Sequence, residues 1–178
     1  MTAAAIPHNE QDRLDALYAL LCMNTPPEAR FDRIVQFASE EFDAPIVLLS
    51  LVDRDRQWFK AKVGMEVCES ARDLSFCAHA IRTSDNFVIG DAARDPRFFD
   101  NPMVTGAPHV RFYAGAPLEV SPGCRVGTLC IIDTKPRAFD AIDNRILATL
   151  RDLIVRELRG ESSADGTTGG AHGREGAA

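Results

Sequence analysis

The chain has 178 residues, of which 46% are hydrophobic and 26% are charged, a composition typical of one soluble globular domain. A core of that size folds without a metal ion or a disulfide framework. The net charge of -6 argues against a broad nucleic-acid-binding surface and against a basic face for anionic lipids.

The composition changes near the C-terminal end of the chain. Six of the 12 glycines fall within residues 160–178, a segment with no apolar side chain larger than Ala. Such a segment cannot bury enough apolar surface to offset the entropy lost on ordering. We therefore predict a disordered N-terminus over residues 1–8, one folded domain over residues 9–159 and a disordered glycine-rich tail over residues 160–178.

Targeting signals and cysteine usage bear on the cellular location. The first residues lack the charged and apolar regions of a signal peptide, and no apolar stretch is long enough to span a bilayer. The five cysteines are odd in number and scattered, which is typical of reduced thiols rather than disulfides. We expect a cytoplasmic protein that contacts neither membrane nor nucleic acid.

Two amphipathic helices are predicted in the first quarter of the chain. In the first helix, which Asn9 is placed to cap, apolar side chains recur at helical spacing: Leu14, Leu17, Tyr18 and Leu21. A second apolar stripe spans residues 31–42. It ends near residue 43, because the residue before Pro45 is pushed toward extended backbone.

Two strands follow these helices. Residues 46–52 are almost wholly apolar, which indicates a central strand buried on both faces. Residues 57–63 alternate between two kinds of side chain, as a strand with one wetter face requires. Trp58 falls on the side of the lysines in that alternation, so we expect it to be half-exposed or to face a cleft.

The middle of the chain, residues 64–111, is less regular. It predicts a short helix over residues 76–82, a short strand over residues 87–89 and a proline-rich loop over residues 90–109. Loops of that length inside a compact domain are usually functional or disordered. Large apolar side chains indicate that this loop is ordered: Phe98, Phe99, Met103 and Val104.

The last part of the chain predicts a hairpin and a helix. Strands over residues 112–120 and 125–133 are joined by a Pro-Gly turn, and a helix capped by Asp140 follows. Helices at both ends with antiparallel strands between them predict an α+β fold. In this fold the helices pack on one face of the sheet.

Several stretches, in this order and spacing, resemble GAF domains over about residues 10–158. They are residues 48–53, 56–60, 74–81, 95–98, 101–102, 111–118 and 127–130. The resemblance implies a PAS-like antiparallel sheet of about six strands, with the terminal helices on one face. It also implies a ligand pocket on the other face, under the middle helix and loop, and a sensory or regulatory role in bacterial signal transduction.

The resemblance also bears on partners. GAF domains of this type usually precede a histidine kinase or a diguanylate cyclase, and we recognise no such module in this sequence. We therefore expect a free-standing module that binds a small ligand or a protein and acts in trans on a kinase or cyclase. Because the terminal helices of GAF proteins commonly pack together, a homodimer is a further expectation.

Nine residues are candidates for ligand contact, as pocket lining or as polar anchors: Trp58, Phe76, Cys77, His79, Asp91, Phe98, His109, Arg111 and Tyr113. Arg111 suits this role because a guanidinium can form paired hydrogen bonds with a carboxylate or phosphate. The alternative for the aromatic residues and Cys77 is core packing, and for the loop residues it is turn formation.

Two alternative functions depend on Cys77. A thiol at the start of a short helix can have a lowered pKa, and free methionine-(R)-sulfoxide reductases, which resemble this chain, carry a cysteine at a similar position. Those enzymes also need a cysteine shortly after an aligned histidine, and residues 109–112 contain none. We therefore expect no catalytic step; the alternatives are such a reductase, with Cys68 resolving Cys77, or a Cys77 redox sensor.

No cofactor is expected. Phytochrome-like GAF domains attach a bilin through a cysteine that a histidine directly follows, whereas Ala78 separates Cys77 from His79 here. No potential metal ligands have the spacing of a zinc motif, so we expect no metal site.

Overall fold

Helices at both ends of the chain flank a run of strands in the computed structural model, which describes residues 2–161. The helices are α1 (Glu10–Ala19), α2 (Ala29–Glu41), α3 (Phe76–Ala80), α4 (Pro102–Thr105) and α5 (Ala141–Leu158). The strands are β1 (Ile46–Val52), β2 (Arg56–Val63), β3 (Glu69–Ala71), β4 (Phe87–Ile89), β5 (Phe112–Ser121) and β6 (Cys124–Asp133). A 3₁₀ turn, Arg72–Leu74, leads into α3. The predicted tail lies outside the described residues, except for its first two positions.

All six strands form one antiparallel sheet, in the order β3-β2-β1-β6-β5-β4. β1 lies in the interior of the sheet and is buried at every position, as its apolar sequence predicted. Leu48 of β1 pairs with Lys62 of β2 and with Cys130 of β6, which places Cys130 in the middle of the sheet. The predicted α+β architecture is confirmed.

α1, α2 and α5 pack on one face of the sheet. Their apolar stripes supply side chains with no exposed surface: Leu17, Phe31, Val35, Ala38, Leu147 and Ile154. Full burial of one large apolar side chain contributes roughly 1.5–3 kcal/mol, so this layer holds the long helices in place. The predicted cap of α5 is present, since Asp140 Oδ1 accepts hydrogen bonds from the N–H groups of Ile142 and Asp143.

A buried ionic cluster anchors α1 to the sheet. Arg13 is 1% exposed, and its Nη1 donates a hydrogen bond to the Val52 carbonyl at 2.6 Å. Glu10 lies between two arginines, with Oε1 2.7 Å from Arg13 Nη2 and 2.6 Å from Arg72 Nη1. Burial raises the pKa of Glu10, but hydrogen bonds from both arginines outweigh it and lower the pKa to about 2. Glu10 is therefore charged at neutral pH and links α1 to the turn that precedes α3.

The middle segment is more regular than the sequence predicted. β3 pairs with β2, and α4 forms inside the predicted loop. Asn101 caps α4 by accepting a hydrogen bond from the Met103 N–H, and its Nδ2 donates to the Leu74 carbonyl at 3.0 Å. Pro102 occupies the first turn of the helix, where its missing N–H has no intrahelical partner to lose. The Asn-Pro pair therefore begins a helix.

The N-terminal residues contact the rest of the domain through Thr2 and Asn9. The Thr2 N–H donates to the Arg97 carbonyl at 3.3 Å, while the predicted disorder of residues 1–8 stays a prediction. Asn9 takes the predicted N-cap position of α1, but its side chain donates to the Gly123 carbonyl at 3.0 Å and makes no capping hydrogen bond. The Asn9 side chain therefore stabilises the turn between β5 and β6 rather than the start of α1.

Candidate functional site

The middle segment covers the face of the sheet opposite the three long helices. α3 and the stretch around α4 lie over β1, β5 and β6, and with the edge strand β4 they enclose a second apolar core. The resemblance placed the ligand pocket on this face. We call this assembly the α3 face, defined by the buried side chains of α3, residues 87–104 and the strand positions beneath them.

Aromatic side chains form the centre of the α3 face. The ring of Phe76 stacks on Phe98 with centroids 4.4 Å apart, and on Tyr113 with centroids 5.2 Å apart. Phe87 contacts the rings of Phe98 and Tyr113 edge-on, at 6.4 Å and 6.2 Å. Aromatic pairs of this kind contribute roughly 0.5–1.5 kcal/mol beyond the area they bury.

His79 lies at the edge of the aromatic layer. Its ring meets Phe98 edge-on, with centroids 4.8 Å apart, and its Nε2 lies 3.1 Å from the Thr2 carbonyl oxygen. Burial lowers the pKa of His79 and outweighs the hydrogen bond to Thr2, which raises it, and the nearby charge of Arg97 lowers it further. The imidazole is therefore neutral at pH 7, and its Nε2–H donates to the carbonyl.

A set of polar side chains is buried beside the aromatic layer. Gln57 Oε1 accepts hydrogen bonds from the hydroxyls of Ser75, at 2.5 Å, and Ser50, at 3.1 Å. Gln57 Nε2 donates to Ser70 Oγ at 2.6 Å. Ser75 Oγ also accepts from the Ala78 N–H and so caps α3. This network fixes the start of α3 against β1 and β2; it was missed in the sequence because its members belong to no recognisable motif.

The thiols of Cys77 on α3 and Cys130 on β6 meet between the helix and the sheet. The Sγ atoms of Cys77 and Cys130 are 3.8 Å apart, and Cys77 Sγ accepts a hydrogen bond from the Tyr113 hydroxyl at 3.3 Å. Burial raises the pKa of Cys77, but hydrogen bonds from neighbouring thiol and hydroxyl groups outweigh it and lower the pKa to about 6. Its hydrogen bond with Cys77, together with burial, raises the pKa of Cys130 well above the usual range. Cys77 is therefore the more acidic thiol of the pair.

Thr128 contributes a buried hydroxyl that lacks a hydrogen-bond partner among residues 2–161. It is close enough to Cys77 and Cys130 to lower the pKa of both thiols, although it completes no hydrogen bond of normal geometry. Leaving such a group unsatisfied costs about 1–3 kcal/mol, so its presence in a core calls for an explanation. Side chains alternate along a strand, so the sequence of β6 could have placed Thr128 and Cys130 on one face.

The expectation that Trp58 is half-exposed or faces a cleft is wrong. Trp58 is 9% exposed and belongs to the core beneath the long helices, on the face opposite Cys77. Lys60 lies on the same side, with Nζ 5.9 Å from the Trp58 ring and 2.6 Å from Glu28 Oε1. The lysine side of β2 is thus a buried face on which an ion pair compensates the charge, and residue polarity alone misidentified it.

Three predicted ligand contacts lie outside the aromatic layer. Asp91 Oδ1 accepts a hydrogen bond from the N–H two residues further on, and Arg111 Nη1 donates to the Val104 carbonyl at 2.9 Å. His109 is exposed and has a positive φ of 61°. For these residues the turn-forming alternative fits the geometry. The α3 face brings together the other five candidates besides Trp58: Phe76, Cys77, His79, Phe98 and Tyr113.

The thiol neighbour of Cys77 differs from the one expected. Cys68, which the reductase alternative assigned as the resolving thiol, is exposed, with its Sγ 3.5 Å from Lys62 Nζ. Cys130 instead lies against Cys77. Cys68 is therefore not the thiol that lies against Cys77, and the sequence did not reveal Cys130 because 53 residues separate it from Cys77.

Surface cavities lie away from the α3 candidates. A cavity of about 910 Å³ lies between residues 39–45 and 133–138, and one of about 370 Å³ lies beside the start of α1. None of the nine predicted ligand residues lines either cavity. Over residues 2–161, no group of three or more His, Cys, Asp or Glu side chains could hold a metal ion, and none of the helices there is long and apolar enough to cross a membrane.

Comparison with known proteins identifies relatives for most of the chain. A family model described as the GAF domain matches residues 26–158. Over 137 residues the chain is 41% identical to the cyclic di-GMP phosphodiesterase PA2567 of Pseudomonas aeruginosa. That match covers 77% of this chain and 23% of the relative, so the chain spans less than a quarter of the length of that protein.

Solved structures share the fold at low sequence identity. The type II free methionine-R-sulfoxide reductase of Thermoplasma acidophilum has a TM-score of 0.62 at 17% identity, covering 82% of this chain and 96% of that one. The GAF domain of an Acinetobacter phosphoenolpyruvate-protein phosphotransferase has a TM-score of 0.62 at 16% identity, covering 91% and 99%. These likenesses show the fold.

The expectation of no catalytic step is wrong in the light of these comparisons. The relative that is identical to this chain at 41% of the aligned residues is named as a phosphodiesterase. The expectation rested on the lack of a complete catalytic motif in this sequence, which does not decide the activity of a protein that contains such a domain.

Proposed function

The chain belongs to the GAF domain family, and from that membership we propose that it is the ligand-sensing unit of a cyclic di-GMP phosphodiesterase. The observation that carries the proposal is the 41% identity over 137 residues to the phosphodiesterase of Pseudomonas aeruginosa. In this proposal a small ligand binds at the α3 face and changes the rate at which cyclic di-GMP is hydrolysed.

The composition of the α3 face supports binding of a small ligand with a flat apolar part and a polar group. The rings of Phe76, Phe98 and Tyr113 stack on one another and are almost fully buried, so they would offer stacking surfaces to a planar ring once α3 moves away from the sheet. The Thr128 hydroxyl would gain from a ligand the hydrogen bond that it lacks among the described residues. A site opened there would combine apolar walls with a few polar groups that orient the ligand, as ligand pockets do.

A route from the α3 face to α1 supports a regulatory role. The 3₁₀ turn before α3 carries Arg72, whose Nη1 lies 2.6 Å from Glu10 Oε1 on α1. Arg72 Nη1 also donates to the Asp53 carbonyl at 3.0 Å, which ties the turn to the sheet. A ligand that displaces α3 would strain these contacts, and the strain would reach the N-terminal helix.

The proposal is tested by exchanging the matching segments of the two proteins. In the phosphodiesterase of Pseudomonas aeruginosa, the 137-residue segment is replaced by the corresponding part of this chain, and hydrolysis of cyclic di-GMP is followed by chromatography. We expect the chimera to hydrolyse cyclic di-GMP faster than a matched deletion of the segment. A chimera that behaves like the deletion contradicts the proposal.

A second candidate is thiol-dependent reduction of free methionine-(R)-sulfoxide. The observation in its favour is the 3.8 Å approach of Cys77 Sγ to Cys130 Sγ, which supplies a resolving thiol that the sequence did not reveal. Its test is an NADPH-coupled thioredoxin assay on the free sulfoxide, comparing the chain with its Cys77→Ser variant. Equal rates for the two proteins exclude this activity.

A further inference from the structure

Cys77 and Cys130 have a geometry that ligand sensing does not require. Cys77 projects from α3, whereas Cys130 belongs to β6 in the interior of the sheet, and the side chains are 2% and 0% exposed. Their sulfur atoms are 3.8 Å apart, while a disulfide bond is about 2.0 Å long. A closure of under about 2 Å would join a five-residue helix to a strand in the interior of the sheet.

The surroundings give the two thiols different chemical roles. The Tyr113 hydroxyl donates to Cys77 Sγ at 3.3 Å, which stabilises a thiolate at that position. The pKa of Cys77 is lowered to about 6, whereas that of Cys130 is raised well above its usual range. Thiolates are the reactive form, so Cys77 is the attacking sulfur and Cys130 is the resolving one.

We propose that Cys77 and Cys130 form an oxidation site for hydrogen peroxide, whose product is a disulfide between α3 and β6. The Cys77 sulfur attacks one peroxide oxygen; an S–O bond forms, the O–O bond breaks, and the departing hydroxide leaves as water with the Cys77 proton. The Cys130 sulfur then attacks the Cys77 sulfenic acid; the S–S bond forms, the S–O bond breaks, and a second water leaves with the Cys130 proton. The two sulfurs supply the two electrons that reduce the peroxide.

Peroxide reaches the pair when α3 opens. The helix has five residues, and Ser75 holds its first turn by accepting from the Ala78 N–H and by donating to Gln57. Such short elements open more readily than the sheet beneath them. The disulfide then ties α3 to β6, so oxidation restricts the movement of α3 away from the sheet.

The site is tested on the full chain carrying Cys68→Ser, which removes the exposed thiol. The protein is treated with hydrogen peroxide, alkylated in denaturant, and mapped by mass spectrometry without reduction. We expect a loss of about 2 Da and a Cys77–Cys130 cross-linked peptide pair, both reversed by dithiothreitol. In Cys130→Ala, Cys77 is expected to form a dimedone-reactive sulfenic acid instead.

The matched control is Cys124→Ala, which removes another buried thiol and is expected to leave the cross-link unchanged. Cys77 and Cys130 that both remain alkylatable after peroxide treatment overturn the inference, as does a disulfide between other cysteines. The peptide map needs only the Cys68→Ser chain, so it decides the question even where a core variant fails to fold. The inference is independent of cyclic di-GMP, because that nucleotide is absent from the assay.

Discussion

Replacing Glu10 with glutamine removes the negative charge between two arginines that water scarcely reaches. The side chains of Arg13 and Arg72 are 1% and 6% exposed, so neither can regain full hydration when the charge is lost. We expect Glu10→Gln to lower the free energy of unfolding at pH 7, because it leaves two cations partly uncompensated where α1 meets the sheet.

The size of this loss follows from the pKa of Glu10. The pKa falls from 4.5 to about 2 on folding, and each unit of pKa corresponds to about 1.36 kcal/mol, which sets an upper bound of roughly 3 kcal/mol. The Glu10 side chain is 18% exposed and is therefore partly screened by water. We expect a loss of about 1–2 kcal/mol.

The assay is urea unfolding of both proteins, followed by the fluorescence of Trp58, the single tryptophan of the chain. Because folding lowers the pKa of Glu10, the stability it contributes is fully present above about pH 4.5 and is lost as the pH falls through about 2. The difference between wild type and Glu10→Gln should therefore shrink across that window. Other carboxylates titrate in both proteins and cancel in the difference.

The control is Glu69→Gln, which removes the negative charge of an ion pair with Arg56. The Glu69 side chain is 52% exposed. An exposed ion pair contributes about 0–1 kcal/mol, so this variant should unfold almost as the wild type does. The reasoning is refuted if Glu10→Gln costs no more than the control, or if its cost is the same at pH 2 as at pH 7.

Three further predictions concern the α3 face. Thr128→Val should raise the free energy of unfolding by about 1 kcal/mol, because it removes an unsatisfied buried hydroxyl, whereas the exposed Thr149→Val should change it little; a destabilised Thr128→Val in urea unfolding contradicts this. Phe98→Ala should cost about 3–5 kcal/mol, because it empties the centre of the aromatic layer, and Phe99→Ala, at a 54% exposed side chain, should cost far less; equal midpoints in calorimetry contradict this. Tyr113→Phe should raise the pKa of Cys77 above about 6 by removing a hydrogen bond to its sulfur, as followed by ultraviolet thiolate absorbance against a Cys77→Ser reference; an unchanged titration contradicts this.

The long elements were predictable because each carries its own apolar pattern. β1 matches its predicted bounds, and α5 begins at the predicted cap. β3 has no apolar pattern, since its three residues are exposed or half-exposed, and it exists because β2 supplies a pairing edge. Local sequence therefore predicts elements that bury their own surface and misses those that depend on a neighbour.

The candidate site was predictable only in part, for the same reason. Phe76, Cys77 and Phe98 lie in the middle segment, where the resemblance placed the pocket. Cys130 and Thr128 lie on β6, and their contact with α3 depends on the sheet order. The predicted exposure of Trp58 is wrong because lysines on the same side of a strand suggest a solvent-exposed face, whereas Lys60 forms an ion pair with Glu28 inside the protein.

Control of cyclic di-GMP hydrolysis by the α3 face is tested by measuring the cyclic di-GMP content of cells. Pseudomonas aeruginosa lacking its own phosphodiesterase PA2567 receives the chimera, or the chimera with Thr128→Val or Thr149→Val, at equal protein levels. We predict that Thr128→Val changes the cyclic di-GMP content relative to the unmodified chimera, whereas Thr149→Val does not. The same content with Thr128→Val as with Thr149→Val would contradict the claim.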